Sequence, residues 1–368
     1  MSIPGKSRAL RIAMSAGLAL GTMSGASGAP AAELTTRAIS NDGIFNGVTV
    51  SADGRIFAVF PHIDGSRGIF IGEYAGDGHW KPYPDAAWNQ WVPGEKTDGA
   101  FVSANALRIG PDGALWVVDM GSPRRDGSRV AGGARLVRID LATNTVTRTY
   151  SLDAALPADG NPNDVRFNGR HAYLTDSGHA GLLVVDLDTG EARRVLNDAR
   201  AAGAQHDSRF NGAPLMQKGK PARVQADQLE VSPDGKWLYF QPAAGPMSRV
   251  TTALVDDPSV PPAKLKAAVS HFADTPATGA TAIDASGNLY VSDVDHAQIM
   301  KITPDGKSSV IIKDPRLLWI DAMWIDTKGN LWMPDAQLGL TAPYQDGQSK
   351  VKFPLTIYSM PIGAKQRL

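Results

Sequence analysis

A short motif recurs six times along this chain, and its repetition constrains the fold more than any other feature of the sequence. Each copy begins with Asn, Asp or Gly, continues as an alternating apolar strand, turns at a Gly and returns as a second apolar strand. Period-two apolar patterns joined by Gly-containing turns predict β-hairpins. The copies begin at Asn46, Asn105, Asn163, Asp227, Gly279 and Asp321 and read NGVTV-SADG-RIFAVF, NALRI-GPDG-ALWVVD, NDVRF-NGR-HAYLTD, DQLEV-SPDG-KWLYF, GATAI-DASG-NLYVSD and DAMWI-DTKG-NLWMPD.

The spacing of the copies predicts an all-β fold. Successive copies begin 42 to 64 residues apart, which is the length of a four-stranded propeller blade. The sequence therefore predicts a six-bladed β-propeller of four-stranded antiparallel blades around a central channel. We expect residues 33–39 to pair with residues 355–361 in the last blade, because this closure removes an exposed sheet edge.

The first residues have the pattern of an export signal. Lys6, Arg8 and Arg11 precede an apolar run at residues 12–20, and Ala-Pro-Ala at 29–31 provides a cleavage site of small residues. We predict an export signal at 1–31, a single propeller domain at 32–368 and a secreted or periplasmic location. An uncleaved tail is the alternative. The apolar run is shorter than the roughly 20 residues that span a bilayer, so no membrane span is expected.

Charge and cysteine content exclude several classes of partner. Without residues 1–31 the chain has 34 basic and 37 acidic residues and no basic stripe, so no nucleic-acid partner is predicted. The chain contains no cysteine, which excludes a disulfide-linked partner and a thiol nucleophile.

The first residue of each motif copy is expected at one mouth of the channel, because the innermost strands of a propeller line it. Five of these six residues have an oxygen atom in the side chain, although strands favour β-branched and aromatic residues at such positions. They either satisfy local backbone donors, as turn residues do, or form a ligand site. We predict ligand binding by Asn46, Asn105, Asn163 and Asp321 and a calcium site at Asn105, Asn163 and Asp227, since calcium prefers carboxylate and amide oxygens.

Two further groups of residues are predicted near this mouth. Asp227 and His62 are the candidate catalytic acid and base, although His62 also fits an exposed loop histidine. Aromatic residues between the first two copies form either a stacking wall for a flat ligand or ordinary packing. The Asp residues that end the returning strands are expected just outside the ring: Asp119, Asp176, Asp293 and Asp335.

Several segments resemble the major royal jelly and yellow protein family, including its bacterial members related to dopachrome tautomerase. They read KPYPDAAWNQW, FVSANALRIGPDGALWVVDMG, ARLVRIDLATNTV, AYLTDSGHAGLLVVDLDTGEARRV and SPDGKWLYFQP. The resemblance implies a secreted six-bladed propeller that binds a small molecule, such as an aromatic amine or a catechol-derived indole, in its central cavity.

A more distant resemblance is to the gluconolactonase and regucalcin propellers, which hold a divalent cation with a Glu, two Asn and an Asp. Asn105, Asn163 and Asp227 match the last three positions, whereas Asn46 stands where the Glu is expected. Three hypotheses follow for the function. The first is binding of a small polar or aromatic molecule, with or without a tautomerase-type proton transfer; the second is a calcium-dependent lactonase or esterase; the third is binding without catalysis.

Overall fold

The computed structural model describes residues 1, 2, 5, 33–63, 65, 67–123 and 128–367. The contacts between residues divide the chain into two units, Met1–Ala32 and Glu33–Leu368. Every described strand belongs to the second unit. The predicted export signal lies outside the described residues except at three positions, so it stays a prediction. Among the described residues, none of the helices has the length and apolar character that crossing a membrane requires.

Six four-stranded antiparallel sheets confirm the predicted propeller. The strands of these sheets and of two small hairpins are numbered together, β1 to β28, in chain order. The first of them, β1 (Thr35–Ser40), belongs to the last blade. The first three blades comprise β2 (Gly47–Val50), β3 (Ile56–Val59), β4 (Ile71–Gly76) and β5 (His79–Pro82); β6 (Ala104–Ile109), β7 (Leu115–Met120), β8 (Ala134–Asp140) and β9 (Thr145–Ser151); and β10 (Pro162–Asn168), β11 (His171–Asp176), β12 (Leu182–Asp186) and β13 (Ala192–Val195).

Two small hairpins and two helices interrupt the second half of the chain. The hairpins lie between the third and fourth blades, and the helices α1 (Thr252–Asp256) and α2 (Pro262–Ala267) lie within the fourth. The hairpin strands are β14 (Arg209–Phe210), β15 (Ala213–Pro214), β16 (Met216–Gln217) and β17 (Lys220–Pro221). The last three blades comprise β18 (Ala226–Val231), β19 (Trp237–Pro242), β20 (Met247–Thr251) and β21 (Ser270–Ala273); β22 (Thr281–Ile283), β23 (Leu289–Asp293), β24 (Gln298–Ile302) and β25 (Ser308–Lys313); and β26 (Trp324–Ile325), β27 (Asn330–Pro334), β28 (Leu355–Pro361) and β1.

The ring closes as the sequence predicts. β1 pairs with β28 from Thr35, opposite Ser359, to Ser40, opposite Leu355. The side chain of Arg37 adds a 2.7 Å hydrogen bond from its Nε to Ser359 Oγ. The outer strand of the last blade therefore comes from the beginning of the propeller, and pairing it leaves β28 without an open edge.

The turn of each inner hairpin is fixed by a glycine, and in three blades also by an aspartate bonded to a buried aromatic residue. Gly287 and Gly329 have φ of 82° and 78°, a conformation that side chains with a Cβ seldom adopt. In the last blade, Asp326 accepts hydrogen bonds from the backbone N–H of Asn330 at 2.9 Å and from Trp332 Nε1 at 2.8 Å. The carboxylate thus holds the turn and the following strand together.

Apolar side chains fill the interfaces between neighbouring blades. Phe57 and Ile71 of the first blade, for example, pack against Leu107 and Val117 of the second, and these four side chains are almost fully buried. Burial of each such side chain contributes roughly 1.5–3 kcal/mol. Since the chain has no cysteine, this packing and the paired strands hold the ring together.

Candidate functional site

Six residues surround one mouth of the channel, and we call them the ring: Asn46, Asn105, Asn163, Asp227, Gly279 and Asp321. They line a narrow cavity of about 20 Å³, which we call the neck and which is large enough for one water molecule or one ion. The predicted ligand-binding and metal-binding residues are therefore brought together at one place.

β-bulges turn three of the ring residues toward the channel. In the second blade Ala104 pairs with Asp119 and Ala106 with Val118, so Asn105 is the extra residue between them. The same irregularity falls at residues 163–164 in the third blade and at residue 227 in the fourth. Bulges re-aim side chains and are common next to functional sites. Their recurrence in three successive blades argues against ordinary turn residues.

Hydrogen bonds link the ring side chains of these three blades. Asn105 Nδ2 donates to Asn163 Oδ1 at 2.5 Å, and Asn163 Nδ2 donates to Asp227 Oδ1. The second carboxylate oxygen of Asp227 accepts a 2.5 Å hydrogen bond from Gln228 Nε2. Gln228 is itself held by a hydrogen bond to the Thr278 carbonyl at 2.8 Å. The network fixes the Asp227 carboxylate at the mouth of the channel.

Among the described residues of the ring, Asn46 has a buried side-chain oxygen without a hydrogen-bond partner. Its side chain is 7% exposed, and its Oδ1 atom is buried without a hydrogen bond. An unsatisfied buried carbonyl oxygen costs about 1–3 kcal/mol. This cost indicates a place for a donor that is supplied from outside the chain.

Beyond the ring lies a larger cavity of about 100 Å³, which we call the chamber. Asn46, Asn163, Asp227, Gly279 and Asp321 form its floor. Its walls come from loops, including residues that flank the small hairpins between the third and fourth blades, and its apolar lining consists mainly of Leu215, Val294, Trp319, Leu338 and Tyr344.

The charge of the chamber is negative. Two aspartates and no Lys, Arg or His occur among the described residues that line it. Trp319 Nε1 is buried without a hydrogen-bond partner, so this indole offers a donor in the same chamber where Asn46 offers an acceptor. The chamber therefore combines negative charge, an aromatic face and two unsatisfied polar atoms.

One ring position, Gly279, has no space for a side chain. A Cβ atom there would lie far inside contact distance of the Ile320 carbonyl oxygen and 3.0 Å from Trp319 Nε1. The Ile320 carbonyl group and the indole of Trp319 thus occupy the space that a ring side chain would need in the fifth blade.

His62 lies apart from the ring. Its Nε2 atom is 3.1 Å from the carbonyl oxygen of Ile69, and its ring centroid is 4.2 Å from that of Phe70. It lines a cavity of about 460 Å³, here called the side cavity, which borders the chamber at Tyr344. The structure therefore does not place the two predicted catalytic residues, Asp227 and His62, in one cavity.

The aspartates that end the returning strands hold loops in place. Buried Asp119 accepts hydrogen bonds from the backbone N–H groups of Val102 and Ser103 at 2.9 and 2.8 Å and from Arg135 at 2.8 Å. Asp335 accepts from the backbone N–H of Trp319 at 2.8 Å, and burial raises the pKa of Asp335 to about 6. These residues position the segments that lead into the ring.

Most of the aromatic residues between the first two motif copies contribute to packing. Trp80 packs against Phe60 and Tyr74, with ring centroids 5.4 and 4.9 Å apart, and Trp88 packs against Phe101 at 5.0 Å. None of them lines the chamber. The chamber takes its indole from Trp319, which the sequence reading did not single out.

The side-chain oxygens of the ring are the candidate ligands for a calcium ion. Asn105, Asn163 and Asp227 supply only amide and carboxylate oxygens, the ligands that Ca²⁺ prefers. The unpartnered Asn46 Oδ1 adds a neutral oxygen to this set. No three His, Cys, Asp or Glu side chains of the described ranges are grouped for metal binding, so any cation here depends on the asparagines.

Fold and channel mouth together define a six-bladed β-propeller with a polar ring beneath a partly aromatic chamber. The family model of the major royal jelly proteins matches residues 102–365. The chain therefore belongs to the major royal jelly protein family, as its sequence motifs predict.

Solved structures of several enzymes share the architecture. A gluconolactonase from Xanthomonas campestris aligns with a TM-score of 0.55 and 14% identity over 90% of this chain and 89% of that one. A luciferin-regenerating enzyme aligns with a TM-score of 0.54 and 11% identity over 91% and 97%, and a streptogramin B lyase with 0.51 and 14% over 89% and 96%. At these identities the likeness shows the fold alone. No curated protein has a significant sequence match to the chain.

Proposed function

We propose that this protein binds a small aromatic amine in the chamber, as an exported propeller of the royal jelly type. The single observation that carries the proposal is the buried, unpartnered Asn46 Oδ1 beside the Asp227 and Asp321 carboxylates. An ammonium group supplies the missing donor and offsets the negative charge, while an attached ring packs against Trp319 and the apolar walls.

Isothermal titration calorimetry with phenethylamine and 2-phenylethanol tests the proposal, because the two probes differ in the ammonium group. We expect the amine to bind at least about tenfold more tightly, since a charge-assisted hydrogen bond contributes roughly 1.5–3 kcal/mol. The variant Asp227→Asn is expected to lose that preference. Asp188→Asn, at an exposed turn of the third blade, serves as the matched control. Equal affinity for the two probes would refute the proposal.

A proton transfer is the catalytic extension of this proposal. Asp227 is the fixed carboxylate of the chamber, and it acts as the base if a bound catechol-derived indole isomerises. His62 lines the side cavity, so it would take part only where that cavity meets the chamber, at Tyr344. We expect the rate of dopachrome tautomerisation to fall at least about 100-fold in Asp227→Asn but not in Asp188→Asn. Equal loss in His62→Gln would assign the acid to that histidine.

Calcium-dependent hydrolysis is the second candidate, favoured by the neck and its oxygens. Asn105, Asn163 and Asp227 would hold the ion, which when bound polarises a carbonyl group. The chain's own contribution is to aim these oxygens by the bulges at residues 105, 163–164 and 227. A calcium-dependent rise in Tm together with hydrolysis of an aldonolactone supports this candidate. This candidate is contradicted if chelation of calcium changes neither the Tm nor the rate of aldonolactone hydrolysis.

A further inference from the structure

A second charged cavity lies along the same inner strands, on the side away from the ring. Arg108, Arg166 and Glu230 come from β6, β10 and β18, three residues beyond the ring residue of each strand. Together with Arg367 they line a cavity of about 60 Å³, which we call the basal cavity. None of the ring residues lines it.

The carboxylates around the basal cavity are already paired with arginine. Arg166 binds Glu230 through two hydrogen bonds, Nε to Oε2 at 2.9 Å and Nη2 to Oε1 at 2.7 Å. Among the described residues, the other carboxylate in contact with the cluster is that of Asp164, which accepts from Arg166 at 2.7 Å and from Arg108 at 3.1 Å. Within the part of the chain that the structure describes, three guanidinium groups thus face two carboxylates, which leaves one positive charge in excess in this set.

Two of the three guanidinium groups have unsatisfied donors. The Nε atoms of Arg108 and Arg367 are buried without a hydrogen-bond partner, and Arg108 is only 4% exposed. Arg367 donates through Nη1 and Nη2 to the carbonyl oxygen of Phe167, both at 3.1 Å, and to no carboxylate of the described ranges. A buried charge without a counter-charge is costly.

The pKa shifts in the cluster agree with this excess of charge. Burial, and then the neighbouring Arg166, lower the pKa of Arg108, and burial lowers that of Arg367. Burial alone would raise the pKa of Asp164, but Arg108 and Arg166 lower it to about 2. The Asp164 carboxylate is therefore ionised, and the positive charge of the cluster belongs to the arginines that line the cavity.

A short segment brings Arg367 to this position. The carbonyl oxygen of Lys365 accepts a 2.9 Å hydrogen bond from Ala285 N, and Gln366 forms a bridge with Asp284. Ile362 N donates to the Gly329 carbonyl at 3.0 Å. Residues 362–367 are thus attached to the turns of the fifth and sixth blades and reach across to the third.

We propose that the basal cavity is a binding site for a small inorganic anion or carboxylate, held between the Nε donors of Arg108 and Arg367. The anion neutralises the excess charge and satisfies both donors, and it thereby fixes residues 362–367 across this end of the channel. This site is separate from the chamber, and it stands whether or not the chamber binds an amine.

Thermal unfolding of the full chain in bromide, phosphate or acetate, at constant ionic strength, tests the proposal. We expect at least one of these anions to raise the Tm saturably, by a few degrees at roughly 100 times its Kd. Arg367→Gln should abolish the response without preventing folding, because this residue contributes no salt bridge among the described residues. Arg200→Gln, which changes an exposed arginine elsewhere, should respond as the wild type does.

A crystal structure with bromide provides an independent readout. A bromide peak within hydrogen-bonding distance of Arg108 Nε and Arg367 Nε supports the site. Equal anion responses in wild type and Arg367→Gln, or no peak in the cavity at saturating bromide, would overturn it. Phenethylamine binding by Arg367→Gln separates the two sites, because this variant should retain the affinity of the wild-type chamber.

Discussion

The glycine of the ring offers a sharp test of how the chamber is built. In Gly279→Ala the new Cβ would overlap the Ile320 carbonyl oxygen and approach Trp319 Nε1 to 3.0 Å. Gly279 does not have a positive φ, so backbone strain is not the cause of the expected effect. Because the closest obstacle is backbone, the sixth-blade segment must move by several tenths of an ångström. Such overpacking costs about 1–3 kcal/mol.

Urea denaturation of Gly279→Ala and of Gly203→Ala measures this cost. At Gly203 the nearest atom to a new Cβ is the Arg200 carbonyl oxygen at 3.6 Å, and φ is −94°. The control should therefore be neutral or about 0.4–1 kcal/mol more stable than wild type. Gly279→Ala should be less stable and should also bind phenethylamine more weakly, since Trp319 moves. Two variants of equal stability would refute the reasoning.

Two further predictions concern aspartates of the blades. Asp326→Ala should reduce the free energy of unfolding by about 2–4 kcal/mol, because the N–H groups of Asn330 and Trp332 lose their acceptor; a loss below about 1 kcal/mol would contradict the role of this carboxylate. Burial raises the pKa of Asp335 in the folded state to about 6. The protonated carboxyl group therefore makes its full contribution to stability below the unfolded-state pKa near 4, and this contribution is lost as pH rises through 6. Asp335→Asn should therefore gain stability relative to wild type between pH 4 and 7, by up to roughly 3 kcal/mol. If urea denaturation gives the two proteins parallel profiles of unfolding free energy against pH, this prediction is wrong.

Much of the fold could be predicted because each blade repeats the same local chemistry. The strand at Leu355–Pro361 and the pairing of the outer strand Thr35–Ser40 with it follow from apolar alternation and the need to close the ring. The fourth blade was harder, because α1 and α2 separate its two outer strands. No periodic signal in the sequence marks where the second of these strands, Ser270–Ala273, begins.

The ring could be predicted from register, whereas the chamber could not. Register alone places Asn105 and Asp227 at one mouth, but the bulges that aim them depend on pairing with the neighbouring strand. Trp319 belongs to a loop without repeat character, so its position over Gly279 depends on tertiary packing. The basal arginines were missed for a related reason: Arg108 and Arg166 resemble solvent-facing strand residues until the channel is formed.

A crystal structure of the protein with phenethylamine tests the central claim most directly. The account predicts the ammonium group within hydrogen-bonding distance of Asn46 Oδ1 and an Asp227 carboxylate oxygen, with the ring against Trp319. An amine bound in the side cavity beside His62 and Phe70, with no ligand in the chamber at saturating concentration, would contradict it.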